Sequence, residues 1–313
     1  LGENRVIVKE GLRKFTATKK IGLKALMQKS GIANKKFSPY FISYILGPRI
    51  NASGRMDTAD VALDLIMSST HEEAAELSEK IELYNRQRQK IESKILDEAQ
   101  SIIEQEVDFK EHKVIVIAKQ DWHHGVLGIV ASKLSDRFYR PTVLISLGDK
   151  MCKGSARSIK NFHLFNALIS CKDLLHNFGG HSHAAGLVIE KRNINDFKKA
   201  INSFAKDNMR LEDFMPSIDI DMQVDFSQIN MQLARELELL EPYGASNPEP
   251  LFHTSKVKLR GEPLTLARET LKFRVTDGQY SYQAIAFGMS SFKDSLMKCE
   301  HFDIIYTPRI DDW

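Results

Sequence analysis

The chain contains two glycine-rich stretches of similar design, GSARS at residues 154–158 and GGHSHAAG at residues 179–186. In both, residues with small side chains let a ligand approach the backbone amides, and Arg157 or His181 supplies a directed donor. This pattern predicts a phosphate-binding site. The alternative is that the glycines form turns and the alanines pack a helix against a sheet.

Predicted strands and helices alternate around these stretches. Apolar runs predict three strands, and 3.6-residue periodicity predicts three helices. The strands are expected at 114–118, 142–146 and 185–190, and the helices at 125–138, 162–175 and 197–209. This alternation predicts an α/β domain whose strand ends present the glycine-rich stretches.

The segment before this domain is predicted to be helical. Short helices are expected over 5–37, broken at Gly22 and Gly31, and another over 58–67, with a loop at 47–57 between them. From His71 to about Val107 there is neither Gly nor Pro, and apolar residues recur every three or four positions. This pattern predicts one long helix that bridges two domains. A coiled-coil dimer is the rival, but Arg88 occupies a seam position.

The last hundred residues predict a different architecture. Short apolar runs separated by turn signals, such as Asp277-Gly278, are typical of an antiparallel sheet. We expect strands at 218–224, 251–260, 271–276, 282–286 and 302–308, forming a small β-barrel.

The charge is unevenly distributed. The 313 residues carry a formal net charge of +3, but residues 1–55 hold twelve Lys and Arg against Glu3 and Glu10. This basic block favours a surface that faces a polyanion. Three cysteines are too few for a disulfide framework. The apolar runs are too short to predict a membrane span, and the start at Leu1 without a methionine suggests a piece of a longer protein.

Ordered motifs along the whole chain resemble one family. The motifs are GENR at 2–5, RINASGRMDTA at 49–59, WHHGVLGIVAS at 122–132, the two glycine-rich stretches, EPYG at 241–244 through NPEP at 247–250, and DW at 312–313. The sequence resembles the RecJ family, 5′-to-3′ single-stranded-DNA exonucleases of the DHH phosphoesterase superfamily.

The resemblance implies an α/β protein with four parts. These are the C-terminal part of a DHH domain at 1–70, a long connecting helix at 71–107, an α/β DHHA1 domain at 108–213 and an OB-fold β-barrel, truncated, at 214–313. A smaller-substrate phosphodiesterase of DHH and DHHA1 domains, acting on oligonucleotides, is a second possibility, although that class lacks the OB-fold. A third is a non-catalytic single-stranded-DNA-binding relative in a replication complex.

The resemblance also implies two Mn²⁺ or Mg²⁺ ions held by aspartates and histidines of the DHH domain, in motifs expected before Leu1. We therefore predict no catalytic residue and no metal ligand here, and expect the piece alone to be inactive. The string Asp121-Trp122-His123-His124 is rejected as a metal site, because it follows a strand as a turn and adjacent residues rarely share one metal.

The remaining candidates hold DNA. Asn51, Arg55, Ser155, Arg157, Ser158 and His181 are predicted to bind phosphate. His183 is left out because Ala184 and Ala185 beside it suggest packing. In the OB-fold, a single-strand groove is expected from Lys256, Lys258, Arg260, Lys272 and Arg274, with Phe273 and Tyr282 as aromatic candidates.

The leading reading is thus the DNA-holding part of an exonuclease of DNA repair and recombination. The resemblance implies single-stranded DNA as the ligand, with a single-strand-binding protein and a DNA-unwinding helicase as further partners. We also expect a monomer without a membrane partner, and the few scattered cysteines favour a reducing cytoplasm.

Overall fold

The computed structural model describes residues 2–35 and 37–311, which form two units. The larger unit comprises residues 17–36 and 40–217, and the smaller unit comprises residues 1–16, 37–39 and 218–313. Among the residues described, no helix is both long and apolar enough to cross a membrane.

The larger unit contains a five-stranded sheet of order β1-β2-β3-β5-β4. Its strands are β1 (Ile115–Gln120), β2 (Thr142–Leu147), β3 (Met151–Arg157), β4 (Leu175–Gly180) and β5 (Ala184–Glu190). β1 and β2 are parallel, and the other neighbours are antiparallel. The structure therefore confirms the predicted α/β class.

Helices cover the two faces of this sheet unequally. On one face, α7 (Leu164–Ser170) and α8 (Ile194–Asn208) close a core that includes Cys152, Leu187 and Phe197. On the other face, α6 (His124–Phe138) packs on β2 and β3. On the α6 side, Gly179 of β4 and Gly186 of β5 remain exposed.

The predicted long helix is present as α5 (His71–Glu106). Thr70 caps its start by accepting a hydrogen bond from the backbone N–H of Glu73 at 3.2 Å. Helices α2 (Ile21–Lys29), α3 (Gly47–Met56), α4 (Asp60–Met67) and α6 all pack against it. Helix α5 therefore lies in the core of the larger unit, and its role as a bridge between two domains remains a prediction.

The glycines before α5 have a different role from the predicted one. The expected loop at 47–57 is α3, preceded by a π-helical segment at Phe41–Leu46, and Pro48 fits because the first helical turn needs no N–H from it. Gly22 lies inside α2, where an added Cβ would stand 1.6 Å from the carbonyl oxygen of Leu65. Gly22 therefore lets α2 approach α4 closely and does not break the helix. Gly31, at φ +69°, does follow the end of α2.

The second glycine-rich stretch forms a hairpin that the sequence did not predict. The helix expected at 162–175 ends at Ser170, and a 3₁₀ turn leads into β4, which contains Gly179 and Gly180. Ser182 and His183 lie between β4 and β5. The first stretch lies in β3, whose partners are β2 and β5.

The smaller unit contains a six-stranded sheet with a central order β10-β9-β7-β11. Its elements are β6 (Met222–Gln223), α9 (Met231–Glu238), β7 (Phe252–Leu259), β8 (Leu264–Leu266), β9 (Thr270–Thr276), β10 (Ser281–Ala286), α10 (Lys293–Lys298) and β11 (Phe302–Tyr306). The core cluster is formed by Phe226, Val257 and Val275.

Helix α1 (Glu3–Thr16) groups with the smaller unit. Its Arg5 donates hydrogen bonds to the carbonyl oxygen of Glu241 at 2.9 Å and to that of Leu239. The predicted domain at 1–70 placed this helix with the segment that follows it. The four domain boundaries remain predictions.

Candidate nucleic-acid interface

The structure places Arg55 at the end of α3 against the first turn of α6. Its Nη1 donates to the carbonyl oxygen of Gly125 at 2.8 Å. In return, an added Cβ on Gly125 would stand 2.6 Å from the carbonyl oxygen of Arg55. Only a residue without a side chain permits this approach, so Gly125 fixes where Arg55 lies.

Arg157, the last residue of β3, lies against the same helix one turn later. An added Cβ on Gly128 would stand 2.7 Å from Nη2 of Arg157. Nη1 of Arg157 donates to the carbonyl oxygen of Ala156 at 2.8 Å and to Ser155 Oγ at 3.4 Å. Gly125 and Gly128 thus each accommodate one arginine, and we call Arg55 and Arg157 the arginine pair.

The arginine pair is half-buried, and its charges are close enough to interact. Burial lowers the pKa of Arg157, and the charge of Arg55 lowers that pKa further. Burial also lowers the pKa of Arg55, with a further decrease from Arg88 and an opposing effect of Glu92. Partly desolvated cations that repel one another form a favourable place for an anion.

The hairpin turn after β4 lies at the same end of the sheet as Arg157. Arg157 faces Ala184 in the register of β3 and β5, and the backbone N–H of Ser158 donates to the carbonyl oxygen of His183 at 3.0 Å. His181 is exposed, and its Nδ1 accepts a hydrogen bond from the backbone N–H of His183 at 3.2 Å. The two glycine-rich stretches are therefore neighbours, and His181 is open to solvent beside them.

Three other sequence candidates have different surroundings. Asn51 is exposed on α3, one turn before Arg55. Ser158 Oγ donates to the carbonyl oxygen of Phe162 at 2.6 Å, so this hydroxyl holds a turn. His183 is exposed, so the packing role for which it was left out of the candidates is not observed.

The glycines of the two stretches do not offer free amides in the way the sequence suggested. β3 and β5 are interior strands, so their backbone amides are engaged in the ladder on both sides. Gly154 faces the core, where an added Cβ would stand 2.9 Å from Leu187 Cδ1. Gly180 has a φ of +149°, and an added Cβ on this residue would stand 2.3 Å from the carbonyl oxygen of Ala184.

Gly179 and Gly186 face open space. An added Cβ on Gly179 would meet no atom within 4 Å, and one on Gly186 would meet only the carbonyl oxygen of Gly154, at 3.9 Å. These two residues are register partners and form part of a cavity of about 470 Å³ that reaches Ser155. We call this cavity the glycine bay; its remaining walls are formed by His124, Leu127, Lys153, Gly154, Asn177, Phe178, Leu187 and Val188.

The basic candidates of the smaller unit lie on its sheet. Lys256, Lys258 and Arg260 are exposed along and just after β7, alternating with buried or half-buried residues, and Arg274 is exposed on β9. Lys258 faces Thr276, and the backbone N–H of Arg260 donates to the carbonyl oxygen of Arg274 at 2.9 Å. Lys272 and Arg274 alternate with the core residue Val275. We call these residues the basic face: Lys256, Lys258, Arg260, Lys272 and Arg274.

The two aromatic candidates are half-buried and pack against the core cluster. Tyr282 Oη donates to the carbonyl oxygens of Ile229 at 2.6 Å and Phe226 at 3.2 Å, and its ring lies edge-on to Phe226. Phe273 packs against the same cluster. These contacts give both rings a packing role in the smaller unit, and their role as stacking platforms remains a prediction.

The residues described contain no group of three or more His, Cys, Asp or Glu side chains that could hold a metal ion. Asp121 is exposed in the turn after β1, and the rings of His123 and His124 stack with their centroids 5.3 Å apart. Burial lowers the pKa of His123, and its Nδ1 has no hydrogen-bond partner in the described structure. Within the part of the chain that the structure describes, these side chains do not form a two-metal centre.

Sequence reasoning missed the polar residues on the buried side of α5. Asn85, Arg88 and Glu92 are buried, and the pKa of Arg55 responds to both Arg88 and Glu92. The sequence feature that could have indicated this network is the occurrence of three hydrogen-bonding side chains at helical spacing within an otherwise apolar stripe.

Comparison with known families finds two domains in the chain. Residues 111–207 match the DHHA1 domain, and residues 220–313 match the RecJ OB domain. These matches cover the five-stranded sheet and the six-stranded sheet, respectively.

Curated relatives and a solved structure agree with these domains. The chain is 34% identical over 314 residues to the single-stranded-DNA-specific exonuclease RecJ of Bacillus subtilis, covering 99% of this chain and 40% of that protein. It is 34% identical over 255 residues to that of Thermus thermophilus, covering 80% of this chain and 35% of that protein. The crystal structure of Thermus thermophilus RecJ in complex with Mg²⁺ superposes with a TM-score of 0.83 at 30% identity, covering 99% of this chain and 46% of that one.

The chain spans less than half the length of these relatives. Another structure of the Thermus thermophilus protein, in complex with Mn²⁺, superposes with a TM-score of 0.82. With its DHHA1 domain, its RecJ OB domain and its likeness to these proteins over nearly its whole length, the chain belongs to the RecJ family.

Proposed function

We propose that this chain holds single-stranded DNA for a 5′-to-3′ exonuclease, and that the arginine pair binds a backbone phosphate. The observation that carries the proposal is the convergence of Arg55 and Arg157 on the glycines of α6. Guanidinium groups suit phosphate because their planar donors can form two hydrogen bonds to its oxygens. Relatives named as single-stranded-DNA-specific exonucleases support the choice of polyanion.

The glycine bay would hold the nucleoside next to that phosphate. It reaches Ser155, which lies beside Arg157, and its floor has no side chain at Gly179 or Gly186. A sugar or base can therefore lie flat on the sheet while its phosphate stays near the arginine pair. His181, exposed in the adjacent turn, would donate to the same nucleotide.

Hydrolysis in this proposal requires side chains beyond those described, because no metal-ligating group is found among them. The chain would position the DNA, and a part of the whole protein outside residues 1–313 would supply the metal-dependent step. We expect the chain alone to release no nucleotides from single-stranded DNA. In the cell we propose a cytoplasmic monomer that works with a single-strand-binding protein and a DNA-unwinding helicase.

The test is DNA binding by residues 1–313, measured by fluorescence anisotropy. We expect a single-stranded oligonucleotide to bind more tightly than a blunt duplex, with a log–log salt slope of about 0.7 per phosphate contacted. Arg157→Ala should weaken binding and reduce competition by inorganic phosphate. The matched control is Arg192→Ala, because Arg192 is an exposed arginine of the same unit that pairs with Glu190.

Equal binding of duplex and single strands would contradict the proposal. So would an Arg157→Ala protein that binds single strands as tightly as the Arg192→Ala protein does. Salt-independent binding would show that phosphate contacts do not contribute, and would also contradict it.

A further inference from the structure

A buried polar network interrupts the apolar side of α5 where this helix meets α6. Asn85, Arg88 and Glu92 are 1%, 9% and 6% exposed. Arg88 donates from Nη2 to Asn85 Oδ1 at 2.7 Å and from Nη1 to Glu92. Nζ of Lys133, on α6, lies 2.5 Å from Oε1 of Glu92. The Glu92 carboxylate thus joins two helices.

The charges around this network are unequal. Glu92 contacts Arg88 and Lys133, Arg88 raises the positive potential at Arg55, and Arg55 does the same at Arg157. Two cations therefore contact this carboxylate, a third, Arg55, is affected by its charge, and the Nε of Arg88 is buried without a partner among the described residues. Removing one member of a buried ion pair leaves the other charge uncompensated, which is strongly destabilising.

We propose that Glu92 is a positioning residue that sets the spacing of the arginine pair through Arg88 and Lys133. This role rests on the proposed function, because it concerns the same phosphate site. Both arginines of the pair are accommodated by glycines of α6, and Glu92 holds α6 to α5 through Lys133. Glu92 also supplies the negative charge that keeps the cations together before DNA arrives.

Helix α5 offers a matched comparison in Glu82. Glu82 is 6% exposed, as Glu92 is, and its carboxylate also holds two cations, Arg49 of α3 at 2.7 Å and Arg86 at 3.1 Å. Neither partner of Glu82 lies on α6, the helix whose glycines accommodate the arginine pair. The two glutamates therefore share burial and pairing, and differ in whether they belong to the phosphate site.

The experiment measures the melting temperature of residues 1–313 in chloride and in inorganic phosphate at equal ionic strength. Glu92→Gln and Glu82→Gln should both melt at lower temperature than the wild type in chloride. Phosphate should raise the melting temperature of Glu92→Gln about twice as much as that of the wild type, because the anion replaces the missing charge and binds the folded state more tightly. Phosphate should raise the melting temperature of Glu82→Gln by as much as that of the wild type.

A purely structural role for Glu92 predicts equal rises in both glutamine variants, and that result would overturn the proposal. Glu92→Asp keeps the charge, so it should show the wild-type rise. If Glu92→Gln does not fold in chloride but folds in phosphate, that result supports the proposal. If Glu92→Gln folds in neither salt, and phosphate raises the melting temperature of Glu92→Asp more than that of the wild type, the proposal is overturned.

The same samples separate this proposal from the proposed function. If the wild type binds no single-stranded DNA while the enlarged rise of Glu92→Gln persists, the proposed function fails and the anion site with its positioning glutamate stands. If DNA binds but the rises are equal, the proposed function stands and the role of Glu92 fails.

Discussion

The arginine pair and the basic face present the same kind of charge under opposite conditions. Arg55 and Arg157 are half-buried, each fitted against a glycine of one helix. On the basic face, Lys256, Lys258 and Arg274 are exposed on strands whose other side is core. Fixed, partly desolvated cations favour one geometry of an anion, whereas exposed cations favour any nearby anion and are screened by salt.

This comparison predicts different effects on catalysis and on binding. A group that orients a phosphate next to the reacting bond affects turnover, whereas remote contacts mainly supply uniform binding. The two sites can therefore be separated in the full-length protein, where turnover is measured with saturating DNA.

The largest effect is expected for Arg55→Ala in the full-length protein. Loss of the guanidinium should lower turnover at saturating single-stranded DNA by about 100-fold, because a misplacement of about 1 Å near the reacting bond costs that much. The measurement is the initial rate of nucleotide release, with Arg192→Ala as the control. If Arg55→Ala and Arg157→Ala both leave turnover unchanged, the arginine pair and the glycine-rich stretches are purely structural.

An intermediate effect is expected when Lys258, Arg260, Lys272 and Arg274 are all replaced by Gln. The log–log salt slope for single-stranded DNA should fall by up to about 2.8, at about 0.7 for each lost phosphate contact, and affinity should fall on the order of tenfold. Turnover on a short saturating oligonucleotide should change little.

The control for this variant replaces four other cations by Gln, namely Lys191, Arg192, Lys199 and Lys206. These residues lie on or just before α8, on the side of the five-stranded sheet opposite α6. An unchanged salt slope in the basic-face variant, or an equal decrease in this control, would show that the basic face does not follow the DNA backbone.

The smallest effect is expected for Gly186→Val, which places a side chain in the glycine bay. Because an added Cβ there has open space, the melting temperature should stay close to that of the wild type. Loss of contact with one nucleoside, about 1 kcal/mol, should weaken binding of single-stranded DNA about fivefold.

Gly154→Val is the contrasting variant, because its Cβ would stand 2.9 Å from Leu187 Cδ1 in the core. It should lower the melting temperature through overpacking. A Gly186→Val protein that keeps full affinity would mean that the bay is empty when DNA binds.

Hydrophobic periodicity predicted much of the larger unit. It gave the extent of α5 to within a residue at each end, because 36 positions without Gly or Pro leave little alternative to a helix. It failed at α3 and at Gly22, where glycine was interpreted as a break. Whether a glycine ends a helix or admits a neighbouring helix depends on what packs against it, and a single sequence does not show that.

The sequence identified Arg55 and Arg157 as candidates but did not predict how the structure holds them. Arg55 and Arg157 are brought together by the structure, but by a helix and a strand end, whereas a loop at 47–57 and free backbone amides were predicted. Arg88 and Glu92 were not predicted to be functional, because a charged residue on a helix is usually solvated. Only the packing of α3 and α6 on α5 shows that these charges are enclosed.

Helix α5 also restricts how the length of this protein can change. Buried residues recur within every turn of the helix, from Ala74 through Glu92 to Ile103. One inserted residue would turn everything after it by about 100° and advance it by about 1.5 Å, which would remove either the polar network or the apolar stripe from its partners. Inserting seven residues would nearly restore the face but lengthen the helix by about 10 Å. Natural length variation is therefore expected in the turns that flank α5, at 68–70 and 107–113, and not within the helix.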